Sequence, residues 1–180
     1  MSYVRPNPTA PGSAAPLVPF ACYTVIALKV EGATAKSEPF NKRLDIETQI
    51  LAPDSVTNAN GTVSRPAGQK GVLRLSFSDK SMQGTIDALT KLGVTLPAPQ
   101  ATFDADVAAI TAAAIEQLSM KCFDMTVKSK REAMLDGEGK PMLDSRGQPI
   151  QGPERADFSV FGIVGNPRTV AEAGVSVPAY

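Results

Sequence analysis

The sequence predicts a mainly β protein with a helical region inserted late in the chain. Three observations support this fold class. Five segments show the apolar and polar alternation, or the β-branched and aromatic composition, of strands. The helical period of three to four residues occurs in one region, residues 81–118. The segments between are rich in Gly, Pro, Asn and Ser, which favour turns and loops.

Length and composition are those of one folded domain. The chain has 180 residues, of which 43% are hydrophobic and 20% charged, as in ordinary globular proteins. It holds 18 basic and 18 acidic residues, so its net charge provides no general attraction to nucleic acid. Histidine is absent, which excludes His-based triads and His-containing zinc sites. We predict no enzyme activity and no cofactor.

The sequence also bears on location and redox state. No apolar run approaches the roughly 20 residues that a membrane helix needs, and the N-terminal residues lack the regions of an export signal. We therefore expect a cytoplasmic protein with no membrane partner. Cys22 and Cys122 lack a CxxC spacing and are expected to be buried, reduced thiols, with a disulfide or a reactive thiol as the alternative.

The chain is expected to consist of three parts: an N-terminal arm, a folded domain and a C-terminal tail. Residues 1–19 contain five of the 15 prolines, which excludes a helix or a full strand. They are predicted to form an extended arm, either a disordered leader or a contact to a neighbouring subunit in a homo-oligomer. Residues 20–167 form the predicted barrel domain, and residues 168–180 a C-terminal tail.

The first three strands are expected at residues 20–30, 42–50 and 72–77. In the second of these, KRLDIETQI, apolar residues and threonine alternate with charged and polar ones, so that one face is suited to a core and the other to water or a ligand. The same alternation places Tyr23 on the outer face of the first strand. It places Arg74 on the outer face of the third.

Helices and two further strands follow. Ser81 is expected to cap a first helix, and Thr102 or Asp104 a second, alanine-rich one. The last two strands are expected at residues 122–130 and 157–164. The connection between them is rich in glycine pairs, which predicts a long, mobile hairpin extension.

The predicted order is three strands, a helical region and two strands. This is the order of the OB-fold, a five-stranded Greek-key barrel with a helix between its third and fourth strands. In OB-folds the outer surface of strands two and three, together with the loops that follow strands one and four, forms the ligand cleft. We therefore expect residues 42–50 to lie in the floor of such a cleft.

Several stretches carry a resemblance to a known family: LKVEGATAK, LDIETQIL, GVLRLSFSDK, a short helix ending in KLGV, and CFDMTVKSKRE. In order and spacing, over about residues 20–165, they resemble the bacteriophage-type single-stranded DNA-binding and recombination-accessory proteins built on an OB-fold. The resemblance implies sequence-nonspecific binding of single-stranded DNA in phage-type replication or recombination, in the host cytoplasm. Members of that type often end in an acidic tail, whereas this chain ends in TVAEAGVSVPAY.

A sequence-tolerant single-strand binder needs cations along the backbone track and aromatic faces on which bases stack. Suitable residues occur in the first loop, on the third strand and at the end of the fourth, with one aromatic residue on the first strand. The predicted contacts are Lys36, Phe40, Lys42, Arg43, Arg74, Lys128, Lys130, Arg131 and Tyr23.

Structural roles are the alternative for several of these residues. Phe40 could anchor its loop on the barrel. Arg74 could form a cross-strand salt bridge to Asp45 or Glu47, and Tyr23 could pack under the N-terminal arm. The zero net charge favours a second class of function, a structural or assembly protein such as a virion component. In that class the arm, the long loop and the C-terminus would contact neighbouring subunits.

Overall fold

The structure is a computed structural model that describes residues 17–34, 42–131, 133–152 and 155–175. Two of the predicted contacts, Lys36 and Phe40, lie outside these stretches. Most of the predicted arm, residues 1–19, lies outside them as well. The boundaries of the arm, the barrel domain and the tail therefore stay predictions.

The fold is mainly β, as predicted, with two helices between the third and fourth long strands. Each of the five predicted strands is present, and a small hairpin lies in the connection between the second and the third. In chain order the elements are β1 (Cys22–Thr34), β2 (Lys42–Ala52), β3 (Val56–Thr57), β4 (Val63–Ser64), β5 (Lys70–Phe77), α1 (Met82–Lys91), α2 (Phe103–Leu118), β6 (Cys122–Lys130), β7 (Arg155–Arg168) and α3 (Val170–Ala173).

The long strands form one antiparallel sheet in the order β5-β2-β1-β6-β7. Its edge strands touch each other. A Cβ atom added to Gly71 of β5 would lie only 2.2 Å from the ring of Phe158 on β7, so the ring packs directly on the glycine backbone. The sheet is therefore curved enough to bring its two edges together at this point.

Alternation in β2 follows the prediction through most of the strand. Leu44, Ile46 and Thr48 are buried, whereas the intervening charged residues are partly exposed. Near the end of β2 both faces are covered. Leu51 packs with Ile26 and Cys122 in a second apolar cluster, against which Val170, Ala173 and Val175 lie.

The prediction that Tyr23 faces outward is wrong. Tyr23, Val25 and Ala27 are fully buried in the main core. A register shift between Ala27 and Lys29 then changes the phase, so that Lys29 is exposed and Val30 is buried. Apolar side chains occupy both faces of the first half of β1, so alternation alone could not tell the two faces apart, and a bulge cannot be read from it.

The helices close over the core. Both predicted residues occupy the N-cap positions, but only Thr102 caps its helix with its side chain, since the Ser81 side chain makes no capping hydrogen bond. Ser81 is the N-cap of α1, and Thr102 is the N-cap of α2, where its side chain accepts a hydrogen bond from the Ala105 N–H at 3.2 Å. Gly32 of β1 lies against α2, since an added Cβ would be 3.1 Å from Cγ2 of Thr111. In the described stretches, no helix has both the length and the apolar character required to span a membrane.

The contact between the edge strands predicts a stability cost for a side chain at Gly71. Gly71→Val should lower the free energy of unfolding by about 1–3 kcal/mol, because the new side chain overlaps the Phe158 ring. Urea denaturation measures this change. The matched control is Gly84→Ala in α1, where an added Cβ meets nothing within 4 Å. It should raise stability by up to about 1 kcal/mol. A neutral Gly71→Val variant would contradict the packing of β7 on β5.

Candidate functional site

The strand register assembles a charged surface on the solvent side of β1, β2 and β5. Asp45 lies opposite Arg74 on one side and Glu31 on the other, and Glu47 lies opposite Val72 and Lys29. Residues directly opposite each other in antiparallel strands share a face. We call this surface the outer face, and it consists of Lys29, Glu31, Arg43, Asp45, Glu47, Val72 and Arg74.

Most of the cations on the outer face are paired. Arg43 Nη2 donates a hydrogen bond to Asp45 Oδ2 at 3.0 Å, and its Nε lies 2.8 Å from Oδ1, within ion-pair distance. Lys29 Nζ lies 2.6 Å from Glu31 Oε2, and the hydrogen bond to Glu31 raises the pKa of Lys29. Since the outer face carries as many carboxylates as cations, its average charge does not attract a phosphate backbone.

Arg74 is the exception. It lies directly opposite Asp45 and is exposed, yet it forms no hydrogen bond or ion pair with any residue in the described part of the chain. The carboxylate of Asp45 is occupied by Arg43 from the same strand. The alternative interpretation of Arg74 as half of a salt bridge to Asp45 or Glu47 is therefore wrong.

A groove of about 410 Å³ lies between α2 and the ends of β1 and β2. Its walls are mostly small side chains, among them Ala108 and Ala112, with Arg43 at the side. Lys42 lies at the edge of the groove and forms an ion pair with Asp104, since its Nζ lies 2.8 Å from Asp104 Oδ1. The predicted contacts Lys42, Arg43 and Arg74 are thus near one another, but only Arg74 is unpaired.

The remaining basic candidates lie toward the opposite end of β1. Lys128 is exposed and makes no hydrogen bond or ion pair with the described residues. Arg131 is also exposed, and the Lys130 side chain lies outside the described part of the structure. Because β6 pairs with β1 near Cys22, whereas Arg74 lies across β2 from Glu31, the structure does not bring these two groups of cations together.

Tyr23 is buried, whereas Phe20, three residues earlier, is exposed. The buried Tyr23 hydroxyl accepts from the Val18 N–H at 2.8 Å and donates to the Val18 carbonyl at 3.1 Å, and burial raises the pKa of this tyrosine. Phe20, predicted to begin the first strand, precedes it and is 71% exposed. Its N–H donates to the Val127 carbonyl at 2.8 Å, which places the Phe20 backbone beside the peptide that joins Val127 to Lys128. Pro19 could have indicated that Phe20 lies in a turn before the first strand, because proline favours turns.

Sequence analysis also missed the largest polar cluster, in which Asp124 is the shared acceptor. Arg168 donates to both of its carboxylate oxygens at 2.7 and 3.0 Å, Thr24 donates at 2.8 Å, and Asn166 donates at 3.0 Å. The partners come from β1 and β7, so the cluster joins both strands to β6, and Arg168 was assigned to the tail. Since every member is satisfied within the cluster, its role is to hold these strands together.

The pKa of Asp124 reflects this arrangement. Burial favours the protonated form, but hydrogen bonds from Arg168, Asn166 and Thr24 together outweigh it and lower the pKa. The nearby cysteines are free thiols, with Cys122 buried as predicted and Cys22 exposed, contrary to the prediction. Desolvation raises the pKa of both thiols, which disfavours the reactive thiolate. Among the described residues, no group of three or more metal-ligating side chains is found.

The connection between β6 and β7 contains two turns of one design, from the repeated sequence MLDxxGxP at residues 134–141 and 142–149. Asp136 Oδ1 accepts the N–H groups of residues 138 and 140, each at 2.9 Å. Asp144 Oδ1 does the same for residues 146 and 148, at 2.8 and 2.9 Å. Glycines with positive φ, 79° and 74°, complete the turns. We call residues 133–151 the double turn.

Backbone hydrogen bonds close the double turn on itself. The Met134 N–H donates to the Ile150 carbonyl, Ile150 to Met142, and Met142 to Met134, at 2.7–2.8 Å. The segment predicted to be a mobile hairpin extension is thus a compact hydrogen-bonded unit. Four large apolar side chains on it are 40–58% exposed: Met134, Leu135, Met142 and Leu143.

A scan of the sequence against protein-family models finds no match, and a search of curated proteins finds none. What the outer face, Phe20 and the double turn do must therefore follow from their own geometry.

The Asp124 cluster predicts a pH dependence of stability. Because the folded pKa of Asp124 is lowered, its contribution is complete above the unfolded value of about 3.9 and is lost as the pH falls through the folded pKa. Asp124→Asn should lower stability at neutral pH by about 1–3 kcal/mol. It should also reduce the loss of stability that wild type shows between about pH 5 and pH 2. Urea titrations across this range measure both effects.

The matched control is Glu116→Gln, an amide replacement at an exposed carboxylate of α2. It should change stability by less than about 0.5 kcal/mol at neutral pH. If wild type and Asp124→Asn lost stability in parallel as the pH falls, the cluster would not be the source of the acid sensitivity.

Proposed function

We propose that the protein binds single-stranded DNA, without strong sequence preference, on an OB-type Greek-key barrel. Three features support this fold: the strand order β5-β2-β1-β6-β7, the helices between β5 and β6, and the approach of β5 to β7 at Gly71. In an OB barrel the first strand pairs with the second and fourth, and the third and fifth strands approach to close it.

The observation that carries the functional proposal is the unpaired Arg74. It lies on β5, which corresponds to strand three of an OB-fold, on the surface that OB-folds use for oligonucleotides. An exposed guanidinium with no carboxylate partner can donate to phosphate without first breaking an ion pair, and its planar fork suits phosphate oxygens. Arg43 and Lys42 would have to exchange a carboxylate for a phosphate, so we expect them to contribute less.

The other proposed contacts extend this surface. Lys128 supplies a second unpaired cation, and Lys36, Lys130 and Arg131 add positive charge in or beside the two loops that border an OB cleft. Phe40 keeps its proposed role in stacking. With few unpaired cations and carboxylates nearby, we expect modest affinity that falls with salt, since each phosphate that the protein neutralises adds about 0.7 to the slope for single strands. Replication or recombination of a phage-type genome in a host cytoplasm is the proposed setting.

A salt-dependent titration tests this proposal. Fluorescence anisotropy with a labelled oligo-dT should show binding at low salt, and Arg74→Ala should weaken it and reduce the slope of log Kd against log salt by about 0.7. Lys91→Ala removes an exposed cation from α1, away from the outer face, and serves as the matched control. Unchanged binding in Arg74→Ala would exclude Arg74 from the interface, and no binding at low salt would exclude the proposed function.

The double turn favours a second candidate function, assembly through protein contacts. Four Met and Leu side chains of this hydrogen-bonded unit are exposed, and exposed apolar patches often mark protein interaction sites. Its charges are largely used internally: Asp136 and Asp144 accept backbone N–H groups, and Lys140 pairs with Glu138 at 2.9 Å. An assembly or adaptor protein would use such a surface to contact neighbouring subunits.

Sedimentation velocity tests the assembly function in the absence of DNA. The full chain should sediment as an oligomer, and the double variant Leu135→Ser, Leu143→Ser should shift it toward the monomer, because polar side chains remove apolar contact area. Val164→Ser, which changes an exposed apolar residue on β7, is the control and should leave the distribution unchanged. A monomeric wild-type protein at all concentrations would exclude this function.

A further inference from the structure

We propose that Phe20 is a platform on which an unpaired nucleobase stacks, with Lys128 beside it as a contact for the adjoining phosphate. This inference rests on the proposed binding of single-stranded DNA and adds a site that the outer face does not include.

The backbone at Phe20 adopts a conformation that favours glycine. Val18, Pro19, Phe20 and Ala21 form a turn in which the Ala21 N–H approaches the Val18 carbonyl at 3.3 Å. Phe20 is the third residue of the turn and has φ = 62°. A positive φ at this position is normally taken by Gly or Asn, and it is rare and strained for a bulky side chain. The fold alone would therefore be served better by glycine.

The side chain does not offset this strain by burial. Phe20 is 71% exposed, the most exposed large apolar residue among those described. Tyr23, three residues later, is fully buried. Strained backbone positions occur often at ligand-binding sites, and an aromatic ring displayed in water on such a position has a binding role as its simplest explanation.

Hydrogen bonds and a buried side chain hold the turn in place, and they therefore restrict the position of the Phe20 ring. The Phe20 N–H bonds the Val127 carbonyl at 2.8 Å, and the hydroxyl of Tyr23 bonds both the N–H and the carbonyl of Val18. Leu17, just before the turn, is buried in the main core. A ring held in this way loses little conformational freedom when a ligand stacks on it.

Lys128, which follows the residue that Phe20 bonds, indicates the class of ligand. Val127 precedes Lys128, which is exposed and has no ion-pair partner within the described stretches. An exposed aromatic residue whose backbone adjoins that of an unpaired cation suits a nucleotide of a single strand, whose base stacks while its phosphate is neutralised. An apolar protein partner would gain nothing from the cation, so the occurrence of the two residues on adjoining segments favours nucleic acid.

Two substitutions at position 20 separate a binding role from a structural one. Phe20→Gly suits the positive φ, so we expect the urea midpoint to stay unchanged or to rise. We expect the Kd for oligo-dT to increase about five-fold or more, the loss of one base stack. Phe20→Tyr should retain wild-type affinity. Phe103→Ala, which removes a partly exposed phenylalanine at the start of α2, is the control and should bind like wild type.

A spectroscopic readout is available because the chain contains no tryptophan. Phe20→Trp therefore introduces a single indole, whose fluorescence should be quenched on titration with oligo-dT as a base stacks on it. A matched Phe103→Trp variant should show no quenching.

The outcomes distinguish this inference from the proposed function. If wild type binds oligo-dT but Phe20→Gly binds equally well and Phe20→Trp is not quenched, the platform is overturned and the DNA-binding function stands. If wild type does not bind, both fall. A lower urea midpoint for Phe20→Gly would show that the ring stabilises the fold. A Phe20→Gly variant that changes the sedimentation coefficient without changing the Kd would assign the ring to a protein contact. Either result overturns the platform.

Discussion

The bulge in β1 between Ala27 and Lys29 determines what the rest of the sheet presents to solvent. Before it, Tyr23, Val25 and Ala27 point into the core; after it, Lys29 points outward and Val30 inward. The added residue changes the phase of a strand that pairs with β6 near its start and with β2 along most of its length. Bulges increase local twist, and in this sheet the edge strands come close enough for Phe158 to cover Gly71.

Among the described residues of the outer face, ion pairs form between residues of the same strand and not between residues of neighbouring strands. Arg43 and Asp45 are two residues apart on β2 and form an ion pair, and Lys29 and Glu31, two apart on β1, form another. These local pairs occupy the carboxylates of Asp45 and Glu31, which cross-strand neighbours could have used. Arg74, whose nearest opposite residue is Asp45, is left as the available cation. A surface with no net charge can therefore still contain one position suited to an anion.

The sequence predicted elements better than side-chain environments. Strict alternation located β2 and β6 and the outward position of Arg74, and the predicted N-terminal residues Ser81 and Thr102 located the starts of both helices. Tyr23 was misplaced because both faces of early β1 are apolar. The link between Arg168 and Asp124 was missed because it joins residues 44 positions apart, which periodicity cannot detect. The Arg43 and Asp45 pair was detectable, since residues two apart share a face. The MLDxxGxP repeat could also have been found in the sequence.

The unequal exposure of the two cysteines has a practical consequence. Cys22 is exposed at the start of β1, opposite Thr126, whereas Cys122 is fully buried. A thiol-directed dye added to the folded protein would therefore attach chiefly at Cys22, at mildly alkaline pH because burial raises the pKa of this thiol. Together with an indole placed elsewhere on the tryptophan-free chain, it would form a donor and acceptor pair. Energy transfer between them would report distances across the sheet without removing a native cysteine.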